Sequence, residues 1–381
     1  MKFGIANIVL FCFLLCVSSL KAQNTDEEQG VFKRYFNQIL NDTNDLSAPK
    51  FMTYPTLAYS PETRWEIGLS SLYIYSAKRD LENRLSEVKA FTFYTLEKQY
   101  GIWLDHMLYT DKNEWFFLGR ARYQSFPLLY FGIGPDSQSE YISRIDGEYT
   151  LFRERFLRAV LPSLYFGLEL DFQRLSNVKY KDVTIDHQPP SIGGNGSTNV
   201  GLGLGILYDN IHNALNPREG IYSEWAFLSY DGIFGSDFKM TTYIIDNRFY
   251  RPVKKNTVIA GQFYGQFTRG NAPFNMLSLM GGESLMRGYY LGRYRDNHLL
   301  AAQLEYRILP FKFSKRWGAS VFMATGQVFS QNNKFQFKNL LPTGGAGLRF
   351  LVFPEKDIYT RVDVAFTQEG RGIYFFIGEA F

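Results

Sequence analysis

Period-two alternation of apolar and polar residues, repeated in segment after segment from residue 50 onward, confines this chain to β-structure. In HLLAAQLEYR, Leu300, Ala302, Leu304 and Tyr306 lie on one face, and Gln303, Glu305 and Arg307 on the other. In AGLRFLVF, Ala346, Leu348, Phe350 and Val352 oppose Arg349. In IYTRVDVAF, Ile358, Thr360, Val362, Val364 and Phe366 oppose Tyr359, Arg361 and Asp363. In NTVIAGQFYGQFT, Ile259, Phe263 and Phe267 oppose Gln262, Tyr264 and Gln266.

Such segments recur near 50–59, 64–76, 87–98, 100–110, 113–126, 143–160, 162–175 and 198–209. They continue near 220–230, 238–250, 256–268, 297–308, 317–329, 343–352, 357–367 and 371–381. Their lengths approach the ~10 residues of a tilted membrane strand, and an even count lets a sheet close with both ends on one side. The expected fold is therefore an all-β transmembrane β-barrel of about 16 antiparallel strands over residues 50–381. Tight connectors at 60–63, 97–101 and 109–114, against long polar ones at 176–197 and 269–296, predict short turns at one rim and long loops at the other.

Composition agrees without deciding the matter. Aromatics make up 17% of the residues, with 35 Phe and 26 Tyr, yet mean hydropathy is slightly negative. After Ala22 no apolar run approaches the ~20 residues that a spanning helix needs. A water-soluble all-β protein fits the same composition; the alternation and the loop asymmetry favour the membrane barrel.

Lys2, the apolar run from Phe3 to Leu20, and Ala22 before Gln23 read as a cleaved secretory signal over 1–22. The run also has the length of a marginal transmembrane helix. Cys16 is preceded by Leu15 rather than a small residue, which weakens a lipoprotein reading. Cys12 and Cys16 both lie in this segment, so the mature chain would hold no disulfide, thiolate metal site or cysteine nucleophile. Cleavage removes Lys2 and Lys21 and no acid, bringing the net charge from +4 to +2, too near neutral to suggest nucleic acid as a partner. Residues 23–49 form an expected periplasmic segment. There Val31, Phe32, Tyr35, Phe36, Ile39 and Leu40 share one face of a short amphipathic helix. That helix would pack on the barrel rim, plug the lumen or dock a partner.

The loop GGESLMRGYYLGRY, 281–294, places Arg287 among four glycines and large side chains. Together with the strand reading LEYR at 304–307, it resembles the sixth loop of the bacterial surface antigen superfamily, the barrels of BamA, TamA and two-partner-secretion transporters. The matching residues are Gly281, Gly282, Arg287, Gly288 and Tyr289. Further resemblance lies in Asp209, Pro217 and Gly220, in a strand end followed by a Pro-x-x-Gly turn. It also lies in VFMATGQVF at 321–329, and in the final GIYFFIGEAF, where Phe375, Ile377 and Phe381 are similar to a C-terminal barrel signal on an alternating strand.

The resemblance implies that loop 269–296 folds into the lumen and that inner-wall acids hold its arginine. The family's aspartate in the 321–329 strand is Ala324 here, which leaves Glu305 as the expected partner of Arg287. Members usually carry periplasmic POTRA domains, and the residues before the first strand have no room for one. This is then a POTRA-less short form.

Catalysis is not expected. His106, His187, His212 and His298 show no metal-ligand spacing, and no Gly-x-Ser-x-Gly elbow occurs. The glycines of VGLGLG at 200–205 alternate along a strand rather than opening a helix. No metal or other cofactor is expected.

The resemblance implies a barrel in a Gram-negative outer membrane that helps insert or export outer-membrane proteins. Its expected partners are outer-membrane lipid, client barrels, and a POTRA-bearing or other envelope protein docked through 23–49. The alternatives are a structural subunit of a larger envelope complex, and, ranked below it, a passive channel.

Overall fold

The computed structural model describes residues 47–60, 64–96, 98–125, 128–137, 140–181, 190 and 192–381. The leader expected over 1–22 and the helix expected over 31–40 lie outside the described residues. Sixteen long strands follow one another among the described residues. The first four are β1 (Lys50–Ser60), β2 (Arg64–Ser76), β3 (Leu85–Thr95) and β4 (Tyr100–Tyr109). Next come β5 (Trp115–Ser125), β6 (Ser143–Leu161), β7 (Leu164–Lys181) and β8 (Ser197–Asp209). The third group is β9 (Gly220–Tyr230), β10 (Met240–Lys254), β11 (Thr257–Gly270) and β12 (His298–Ile308). The last is β13 (Trp317–Phe329), β14 (Leu341–Phe353), β15 (Ile358–Thr367) and β16 (Arg371–Ile377). A short stretch, Leu128–Tyr130, pairs with β6 just beyond β5 and so continues that strand.

Every strand pairs antiparallel with the next, from β1 to β16. The alternation is inside out relative to a soluble sandwich. On β12 the polar Gln303, Glu305 and Arg307 are buried, whereas Leu304 is 48% exposed. Across the ladder Leu304 faces Met323 of β13, itself 64% exposed. An apolar outer wall and a polar lumen are what a bilayer requires of a barrel, because each strand meets lipid on one side and the interior on the other.

Facing each other at the two ends of the sheet are β1 and β16, where the rings of Tyr54 and Phe375 meet edge-on with centroids 6.2 Å apart. Among the described residues no ladder pairing joins these two strands.

Three expectations need correction. In a meander the strand ends alternate between rims, which puts the ends of β1 and β3 at the same rim as the ends of β7 and β11. The short turns at 60–63 and 97–101 therefore do not mark the opposite end from the long loops; of the three named, only 110–114 lies there.

The expected loop 176–197 is also shorter, since β7 continues through Lys181, which pairs with Arg144 of β6 across a register shift. Apolar cover allows this extension: Leu175 and Ile145 are buried with Tyr130, Ile142 and Phe274.

Finally, β16 ends at Ile377 rather than running to 381. Gly378, at φ +87°, turns the chain inward. Phe381 is thus buried among Tyr109, Phe116, Tyr165, Tyr222 and Tyr250 instead of lying on the strand.

Candidate functional site

The connection between β11 and β12 is folded against the inner wall. A short ribbon, Ser278–Met280 with Tyr294–Asp296, ties its two limbs together. Gly281 lies beside that ribbon at φ +117°, and a Cβ there would sit 2.3 Å from the Tyr290 carbonyl oxygen. Gly288, at φ +103°, lets its N–H reach the Tyr374 hydroxyl at 2.9 Å. Tyr289 is buried, and its hydroxyl donates to the Pro342 carbonyl at 3.0 Å. Tyr290 is buried on the far side, where its hydroxyl accepts from the Leu129 N–H at 3.0 Å. The loop thereby touches β14 and β16 on one side and the extension of β5 on the other.

Arg287 sits at the tip with a fully buried side chain. One terminal nitrogen donates to Glu305 Oε2 of β12 at 2.6 Å, the other to Asp363 Oδ2 of β15 at 2.6 Å. Its guanidinium carbon lies 3.5 Å from the ring centroid of Phe322 on β13. Thr343 of β14 donates to its carbonyl oxygen. A guanidinium suits this place because its fork can bond two carboxylates at once and it stays charged. Four consecutive strands, β12 to β15, thus converge on one side chain.

The cluster continues outward. Arg349 bonds Asp363 at 2.6 Å, Glu305 at 3.0 Å and Glu379 at 3.0 Å. Arg307 lies 3.2 Å from Glu305, and donates to the terminal oxygen of Phe381 at 3.0 Å and the Pro217 carbonyl at 3.4 Å. Arg361 pairs with Asp363 and donates to the Glu283 carbonyl at 3.2 Å.

Arg349 and Arg361 stand directly opposite each other in the β14–β15 register. Such a like-charge pair is unfavourable alone, and Asp363 resolves it by accepting from both. Gly347 makes the space, since a Cβ there would lie 2.0 Å from Asp363 Oδ1. Burying ions costs several kcal/mol each, which the pairing offsets in part, since Arg287 Nε and Arg361 Nε are buried without an acceptor among the described residues. The cluster therefore specifies one seating of the loop more than it adds net stability.

Sequence reasoning named Arg287 and Glu305 but missed Asp363, Arg349 and Glu379. The first two were visible as inward-facing by alternation. What alternation cannot supply is the register that brings them together. Ala324, in place of the family's aspartate, is buried against Met280, Met286 and Tyr289, and Asp363 stands as the second carboxylate on Arg287.

The strand-turn residues are placed apart from this cluster. The Asp209 carboxylate is buried, accepting from Arg84 at 2.6 Å, the Tyr109 hydroxyl at 2.8 Å and the Ile211 N–H at 3.0 Å. His212 is exposed, and Asp209 is committed to these three donors. Pro217 reaches the cluster only through its carbonyl. Gly220 adopts φ +111° beside Asn210. At the end of the chain, Phe375 faces outward, Ile377 is buried and Phe381 lies in the lumen.

The far wall carries a second set of ion pairs. Arg155 bridges Glu169 at 2.8 Å and Glu224 at 2.7 Å, and Arg153 meets Asp171 at 3.0 Å.

Gly281→Ala is expected to unseat the loop, because both the backbone conformation and the 2.3 Å approach oppose a methyl group. Limited proteolysis of the folded barrel checks this: cleavage within 281–294 should accelerate at least tenfold over wild type.

Comparison with known proteins gives the architecture a family. None of the curated proteins matches the chain. Among solved structures, BamA from Haemophilus ducreyi lacking POTRA domains 1–3 aligns with TM-score 0.54 at 14% identity, over 86% of this chain and 69% of that one. CdiB from Acinetobacter baumannii aligns with TM-score 0.55 at 10% identity, over 86% of this chain and 59% of that one. CdiB from Escherichia coli gives 0.54 at 10%, over 86% and 62%. At such identities these likenesses concern the fold. The sequence pattern of the Omp85 superfamily domain matches residues 107–381, well over half of the length. The chain therefore belongs to the Omp85 superfamily, as a BamA-like β-barrel of the Gram-negative outer membrane.

Proposed function

We propose that this barrel assists the insertion or export of outer-membrane proteins by opening between β1 and β16. The observation that carries the reading is the seam, where two facing edge strands lack a ladder pairing among the described residues while loop 281–294 stays anchored in the lumen. An unpaired strand edge is a template for adding a strand. A client hairpin at this seam would gain backbone hydrogen bonds without crossing the filled lumen. Arg287, Gly281, Gly282, Gly288 and Tyr289 act here as a strut, holding β12 to β15 rigid while the seam moves. The chain is not an enzyme in this account, and no cofactor takes part.

The rim carrying the start of β1 and the end of β16 faces the periplasm, after cleavage of residues 1–22. Client capture falls to a separate POTRA-bearing or other envelope protein, docked through residues 23–49. A passive channel is disfavoured, because the loop occupies the lumen that ions would need.

Gentle detergent extraction from native membranes, followed by identification of stoichiometric companions, tests this reading. A POTRA-bearing protein or client barrels should co-purify, and depletion of the chain should lower the abundance of those clients in the outer membrane. A lone barrel whose loss leaves other barrels unchanged would contradict it.

A further inference from the structure

Two neighbouring turns at the rim of the β1 start and the β16 end form a basic and aromatic surface. One is the β10–β11 hairpin, Arg-Pro-Val-Lys-Lys-Asn over 251–256; the other is the β12–β13 connection, Leu-Pro-Phe-Lys-Phe-Ser-Lys-Arg-Trp over 309–317. Together they hold six cations and no carboxylate. The turns are tied to each other: the Leu309 N–H donates to the Asn256 carbonyl at 2.8 Å, and the Asn256 amide donates to the Pro310 carbonyl at 3.0 Å. Lys254, Lys255, Lys312 and Lys315 are exposed.

The aromatic part is equally open. Phe313 is 87% exposed, and its ring stacks on Phe311 with centroids 5.0 Å apart. Trp317 lies on the outer face at the start of β13, edge-on to Phe350 at 4.9 Å. Beyond it the exposed Val321, Met323 and Leu348 continue the lipid-facing wall. The patch is thus continuous with the surface that meets acyl chains, at the depth where aromatic girdles lie. The next turn round, 354–357, brings acids, with Asp357 paired to Arg218.

We infer that this rim surface binds the phosphate headgroups of anionic phospholipid, with Phe311 and Phe313 inserted at the headgroup boundary. Clustered Lys and Arg beside a membrane are drawn to negative lipid, while exposed aromatic rings gain by leaving water for the interface. The role stands apart from seam opening. It would fix the height and tilt of the β10–β14 wall, whatever the barrel then does.

The test uses the purified full chain in neutral detergent, titrated with phosphatidylglycerol or phosphatidylcholine, with retained lipid counted by native mass spectrometry. Wild type should retain phosphatidylglycerol several-fold better. That preference should collapse when ammonium acetate is raised from about 50 mM to about 0.5 M, where screening shortens the range of surface charges. The K254Q/K255Q/K312Q/K315Q variant should retain both lipids equally while keeping heat-modifiable migration, and Phe313→Ser should retain less of each. Equal retention by wild type, a preference that survives in the quadruple variant, or one indifferent to salt would overturn the inference. Where the quadruple variant fails to fold, K312Q/K315Q alone, at two exposed positions, should still weaken the preference several-fold, and an unchanged preference would overturn the inference.

Discussion

Asp363→Asn is expected to destabilise the barrel more than Arg287→Ala, although only Arg287 belongs to the inserted loop. The lumen cluster sets Arg287, Arg307, Arg349 and Arg361 against Glu305, Asp363 and Glu379. Removing Arg287 leaves Arg307, Arg349 and Arg361 each still paired, with Glu305, Asp363, Glu379 and the Phe381 terminal oxygen, so the loss is mainly two charge-assisted hydrogen bonds and the contact with Phe322.

Replacing Asp363 strips Arg361 of its carboxylate partner among the described residues and takes one each from Arg287 and Arg349. It also turns an amide N–H₂ toward guanidiniums that already donate there. Breaking a buried pair so that a charge stays uncompensated costs about 3–5 kcal/mol. Asp363→Asn should reach that range, and Arg287→Ala should fall nearer to about 2 kcal/mol, the scale of hydrogen bonds to charged groups. Denaturant unfolding of both variants, followed by heat-modifiable migration, checks the order. Equal effects would mean that charge balance does not govern the cluster.

Much of the architecture is readable in the sequence. Alternation in 298–307, 346–353 and 358–366 told which side of each strand is polar, and the structure buries those sides. Strand position was also legible, because turn chemistry and pattern changes mark the ends of β12 and β15 closely. What could not be read was which inward residues meet. Asp363 and Arg349 lie 14 positions apart on adjacent strands, and a register slip of two residues would separate them while preserving the pattern.

Glu379 was hidden for a different reason. Its contact with Arg349 depends on the inward turn at Gly378, which an alternating segment through 381 does not suggest. Arg84 is similar: it reaches Asp209 from the turn after β2, across 125 residues of sequence. Connector length does not reveal the rim of the turns after β1 and β3, whereas strand parity decides it.

Locking the seam is the most direct test of the account. Tyr54→Cys combined with Phe375→Cys places thiols on the facing edges of β1 and β16, where the native rings are 6.2 Å apart. The native cysteines, Cys12 and Cys16, lie in the segment expected to be a leader, outside the described residues. Insertion of client barrels into vesicles carrying the oxidised protein should fall at least tenfold and recover when dithiothreitol reduces the crosslink. Undiminished insertion with the crosslink shown intact by gel mobility would contradict a function that works through this seam.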